Sequence, residues 1–110
     1  MTEITGYHAH VYFTAGAVDQ ARALCEAARD RFDTVAMGRV HEKPVGPHPR
    51  WSCQLAFPPE TFGVLIPWLA LNRDGLTIFI HTCSGDDIPD HTDYAMWMGE
   101  LLKLNLAALE

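Results

Sequence analysis

The chain has 110 residues, 48% of them hydrophobic and 20% charged, with acidic side chains in excess and a formal net charge of −6. That is the composition of a globular chain, read here as a single domain over 1–110. The acidic balance and the lack of any basic run argue against nucleic acid and against an anionic membrane surface as partners. No apolar run approaches the roughly 20 residues of a membrane span. The opening residues Met1-Thr2-Glu3-Ile4-Thr5 show no basic region followed by an apolar one, so no signal peptide is expected. Cys25, Cys53 and Cys83 are odd in number and widely spaced. Reduced thiols in a cytoplasmic protein are the simplest account, with Cys25 and Cys53 as small core residues and Cys83 close to a histidine.

Gly6 to Phe13 reads as a strand whose faces alternate. Tyr7, Ala9, Val11 and Phe13 form an apolar face, while His8, His10 and Tyr12 form the other. Val18 to Phe32 reads as a helix, with Val18, Ala21, Cys25, Ala28 and Phe32 in one apolar stripe. Val35 to His41 is a weaker strand, interrupted at Gly38. The segment 42–50 holds three prolines and Gly46, which makes it a stiff loop able to hold His48 at low entropic cost. Trp51 to Phe57 alternates cleanly: Trp51, Cys53, Leu55 and Phe57 against Ser52, Gln54 and Ala56. Pro58-Pro59-Glu60 opens a second helix, with Phe62, Leu65, Ile66 and Leu69 at helical spacing and Pro67 expected to kink it. After the turn Asn72-Arg73-Asp74-Gly75, Leu76 to His81 is a fourth strand, with Thr77, Phe79 and His81 on one side. In the tail, Asp90 is expected to cap a helix from His91 to about Met98, stopped by Gly99. Leu102, Leu104 and Leu106 suggest a last strand.

Strand, helix, strand, strand, helix, strand is the ferredoxin-like βαββαβ order, an α+β fold with two helices on one face of an antiparallel sheet. In that topology His8, His10 and Tyr12 lie beside Thr77, Phe79 and His81 on one flank and beside Ser52 and Gln54 on the other. Three histidines then converge on the helix-free face. Aromatic groups there need cover from the C-terminal extension, a second subunit, or both, so a homodimer is expected. Imidazoles with the nearby Asp86, Asp87 and Asp90 suit iron, zinc, copper or nickel rather than magnesium or calcium. His8, His10 and His81 supply three ligands, or two histidines combine with one tail carboxylate; spacing alone leaves both open. Ser52 as a nucleophile has no supporting motif.

The segments Tyr7–Phe13, Gly46-Pro47-His48-Pro49, Trp68-Leu69 with Asn72-Arg73, and Ile80-His81 resemble the DOPA 4,5-dioxygenase family. So does the tail pattern Gly85-Asp86-Asp87, Asp90-His91-Thr92 and Trp97-Met98-Gly99-Glu100. Leu101 departs from the proline that follows the Gly-Glu pair in that family. The resemblance implies a ferredoxin-like dimer and metal-dependent ring cleavage of catechols such as L-DOPA with O2. It also implies that His8, His10, His48, His81 and His91 belong to the site. The resulting expectation is Fe(II), or another divalent transition metal, held by His10, His81 and His8. His48 is the expected acid/base, with His91 next. Tyr12, Gln54 and Ser52 bind and orient substrate, and Arg73 or Arg50 binds a substrate carboxylate. The competing reading is a non-enzymatic dimeric module that binds a metal or a small aromatic ligand on the same face.

Overall fold

The strand Gly6–Phe13 (β1) is the centre of an antiparallel five-stranded sheet. The structure, a computed structural model, describes residues 3–110; Met1 and Thr2 of the N-terminal segment read above lie outside the described residues. Helix α1 (Val18–Arg31), β2 (Ala36–His41), β3 (Trp51–Phe57), α2 (Phe62–Asn72) and β4 (Ile78–Cys83) complete the expected ferredoxin-like order. A short helix α3 (Asp87–His91) and an edge strand β5 (Ala95–Met98) follow. The sheet order is β2-β3-β1-β4-β5, so β1 and β3 are interior and β4 pairs with β1.

Alternation decides the two faces. Ala9, Val11 and Phe13 of β1 join Cys53, Leu55 and Phe57 of β3 and Ile78 and Ile80 of β4 in one core. Ala21, Leu24, Cys25 and Ala28 of α1 close it, with Leu65 and Leu69 of α2. Cys25 and Cys53 are fully buried small core residues, as expected. α2 runs on through Pro67. Proline removes one backbone donor there, but both Pro67 and Gly63, four residues earlier, face solvent, where water serves the freed carbonyl.

The tail corrects two expectations. Asp90 does not cap a helix over 91–98; it lies inside α3, which ends at His91, and Ala95–Met98 is a strand paired with β4. The alternation of Met96 and Met98 with Trp97 lets β5 extend the sheet and place Trp97 over Phe79, their ring centroids 4.5 Å apart. That contact outweighs the weak local helical signal. The alternating leucines 102–106 form no strand; a 3₁₀ turn follows at Leu106–Leu109. This segment is held by backbone, the Asn105 amide donating to the Pro47 carbonyl at 2.8 Å. Arg50 and Glu100 add an ion pair at 3.3 Å. The helix-free face is therefore covered within the chain: Tyr12 is 1% exposed and Phe79 is 0% exposed. No helix among the described residues is long and apolar enough to cross a membrane.

Candidate functional site

The strand register brings the histidines together. His8 lies opposite His81 across the β1–β4 ladder, and His10 lies opposite Phe79 on one side and Gln54 on the other. All point away from the helices. The ligand nitrogens of His8, His10 and His81 lie within 4.8 Å of one another. His10 and His81 are both 4% exposed. Their Nε2 atoms are 3.1 Å apart.

Two second contacts orient these rings. His81 Nδ1 donates to the Thr82 carbonyl at 2.8 Å, which leaves the Nε2 lone pair free and fixes the tautomer. α3 brings His91 over His81, ring centroids 4.0 Å apart. His91 Nδ1 donates to the Asp87 carbonyl one turn earlier at 2.7 Å. Asp90 ties α3 to the end of β4. Its carboxylate accepts from Thr82 Oγ1 at 2.6 Å, from Ser84 Oγ at 2.7 Å and from the Ser84 amide at 2.9 Å. Burial alone would raise the Asp90 carboxyl, but the bonds from Thr82 and Ser84 outweigh it and hold its pKa below the usual value. Asp90 is thus fully engaged as a brace between His81 and His91. The sequence offered Asp90 as a helix cap or a ligand; the Thr82-x-Ser84 pair six residues before it was the unread signal for this role.

His48 enters from the proline loop. Its ring centroid is 4.0 Å from that of His10, and the Tyr12 hydroxyl lies 2.6 Å from His48 Nδ1. The five imidazoles, with Gln54, Thr82 and Cys83, line a cavity of about 370 Å³. Ser52 is buried opposite Tyr12 and is not part of the lining. Arg73 also stands outside it, donating from Nη1 to the Leu76 carbonyl at 3.0 Å. Arg50 is engaged by Glu100.

Burial disfavours the charged form of His8, His10, His48 and His81. Burial, reinforced by the neighbouring imidazoles, pushes His10 well below the ordinary histidine value. Burial, then the proximity of His91, His41 and His8, takes His48 down to about 4. Burial takes His81 to about 4 against the opposing Thr82 bond. His8 is lowered by burial and by His91. Burial pushes the Tyr12 phenol up, so it stays protonated and able to donate. Unprotonated imidazoles with inward lone pairs are metal ligands in waiting. Two nitrogens bound to one ion at about 2.1 Å stand about 3.0 Å apart at a right angle and about 3.4 Å apart at the tetrahedral angle. The His10–His81 separation falls within that interval, so this pair fits a divalent transition metal, with the His8 ligand nitrogen within 4.8 Å of both.

The sequence model of the Dopa 4,5-dioxygenase family matches residues 7–108. The chain belongs to the DOPA 4,5-dioxygenase family. It is 33% identical to the DOPA 4,5-dioxygenase of Amanita muscaria over 98% of this chain and 51% of that protein. It is 36% identical to an uncharacterized 21.2 kDa protein of Botryotinia fuckeliana, over 94% of this chain and 63% of that one. The chain thus spans between half and two thirds of these curated relatives. A crystal structure from Nostoc punctiforme, provisionally described as a dioxygenase, superimposes with a TM-score of 0.93 at 46% identity, covering 96% of this chain and 91% of that one. The α+β fold read from the sequence is therefore shared with a solved relative.

Proposed function

We propose that this chain is a non-haem, metal-dependent dioxygenase that opens the ring of a small catechol, L-DOPA or a close analogue, by extradiol cleavage. The observation that carries the reading is the trio His8, His10 and His81, gathered at one wall of a cavity large enough for a single aromatic ring. Family membership supports the oxygen chemistry. A bound Fe(II) would bind catechol and activate O2 and would make the catechol hydroxyls more acidic.

The chain's own residues supply the rest. The three histidines would hold the ion by their ring nitrogens, with His81 kept in the right tautomer by the Thr82 carbonyl. His48, neutral in the free protein, accepts a catechol proton at Nε2. The Tyr12 hydroxyl oxygen accepts from His48 Nδ1–H before and after that transfer, which leaves the Nε2 lone pair of the neutral ring free for the proton and satisfies both protonation states of the imidazole. His48 later returns that proton to an oxygen of the opening ring. Phe79 and Trp97 make the wall behind the histidines apolar and exclude water. Atoms and electrons balance without an external reductant: one ring C–C bond beside the diol breaks, and both atoms of O2 end in the ring-opened product.

The test is oxygen uptake by Fe(II)-loaded protein given L-DOPA and simpler catechols, with an absorbance scan for a yellow ring-opened product. Uptake matched by product is expected. Saturable iron and catechol binding with no uptake would instead favour the non-enzymatic binding module.

A further inference from the structure

The electrostatics of the cavity bear on which catechols it takes, an inference that rests on the catechol reading above. Apart from the histidines, the charged residues that line the cavity are Asp87 and Asp90; none of the lining residues is Lys or Arg. Asp90 is buried, and its oxygens are occupied by Thr82 and Ser84. Asp87 is different. It lies in the first turn of α3 and is exposed. It stands four residues before His91, hence on the same helical face, roughly 5–6 Å away between Cβ atoms. His91 in turn stacks on His81. Asp87 therefore stands at the mouth of the cavity, its backbone carbonyl accepting from His91 Nδ1 and its exposed carboxylate on the helical face that carries His91.

The two arginines that could bind a substrate carboxylate are engaged elsewhere: Arg73 on the Leu76 carbonyl, Arg50 on Glu100. The diol and the ion would be the same for every such catechol, so discrimination among them falls to the groups the ring substituent meets at the mouth, where Asp87 is the exposed charged residue. Opposite charges at such a mouth attract, and like charges repel.

We infer that this site selects catechols whose ring substituent carries a positive charge, of the alkylammonium type, over those carrying a carboxylate, with Asp87 as the specificity-determining residue. The three probes are dopamine, 4-methylcatechol and 3,4-dihydroxyphenylacetate, which share the diol and differ in substituent charge. Their dissociation constants are measured without oxygen on Zn(II)-loaded protein, by quenching of tryptophan fluorescence, so the result does not depend on turnover. The expected order is ammonium tightest, neutral next, carboxylate weakest, with at least about tenfold between the extremes at low salt and less at high salt. In Asp87→Lys the ratio of the extremes falls by at least about tenfold. Equal or tighter binding of the carboxylate probe would overturn the inference. So would an unchanged ratio in Asp87→Lys, or no saturable binding of any of the three. Failure of the ring-cleavage reading shows up separately, as binding in the predicted order with no oxygen uptake.

Discussion

The Tyr12 hydroxyl lies 2.6 Å from His48 Nδ1, joining the central strand to the proline loop at a buried hydrogen bond. The two residues are 36 apart in sequence, and the bond is made on the face of the sheet opposite the helices. It sets which nitrogen of His48 faces reactants and holds the loop against β1. Tyr12→Phe keeps the ring packed on Phe79 and Trp97 and removes only the hydroxyl. It should lower kcat by about ten- to a hundredfold while metal content stays at the wild-type level. Steady-state kinetics and metal analysis on the same preparation check this; loss of metal would instead give Tyr12 a different role.

His10 belongs to the trio and packs against three other imidazoles, those of His8, His48 and His81. His10→Ala should lower divalent metal affinity by at least about a hundredfold and abolish turnover with it. Equilibrium dialysis followed by oxygen uptake reads both. Full turnover in this variant would remove His10 from the metal site.

Acid should destabilise the metal-free protein through its histidines. His48 and His81 have folded pKa values of about 4, below the unfolded value near 6.5. Between those values the unfolded chain binds more protons than the folded one, so stability rises with pH. The contribution is fully present above about pH 6.5 and is lost as pH falls toward about 4, with a total on the order of a few kcal/mol. Urea midpoints from pH 7 down to pH 4, in the presence of a chelator, should fall across that window. A flat profile would show that the imidazoles are not held neutral by the fold.

Phe79 is fully buried among Tyr12, His10, His81, His91 and Trp97. Phe79→Ala should cost about 3–5 kcal/mol, as expected for an aromatic cavity in a close-packed wall. Thermal or denaturant unfolding measures it. The more conservative Phe79→Leu should lose less stability and keep metal.

Asp90→Asn should loosen α3 rather than empty the metal site. The amide cannot accept from Thr82, Ser84 Oγ and the Ser84 amide together without turning its own N–H₂ toward one of those donors. A cost of about 1–3 kcal/mol is expected, concentrated locally. Hydrogen exchange should speed up at α3 and at the end of β4, with β1 and β3 unchanged.

Much of this was legible from period-two alternation. It placed His8, His10 and Tyr12 of β1, Gln54 of β3 and Phe79 and His81 of β4 on one face, because each strand carried a clean apolar partner face that only the helices could bury. The tail was harder to read. Asp90 and Gly99 look like helix start and stop signals, yet Trp97 is drawn onto Phe79 across the sheet edge and Asp90 is drawn to Thr82 and Ser84. Neither contact leaves a periodic mark in the sequence, since both are long-range. The isolated leucines 102–106 alternate without a neighbouring strand to pair with, because β5 has taken the free edge of β4. His91 was named from its motif, but its stacking on His81 depends on a five-residue helix too short to carry its own signal.

The central claim is ring opening by insertion of both oxygen atoms. The most direct test is the product mass formed from 4-methylcatechol by Fe(II)-loaded protein in air, read by mass spectrometry beside an iron-free control. The account predicts a yellow product heavier than the substrate by two oxygen atoms, absent from the control and from His10→Ala. A quinone lighter by two hydrogens, or unchanged substrate with iron bound, would contradict it.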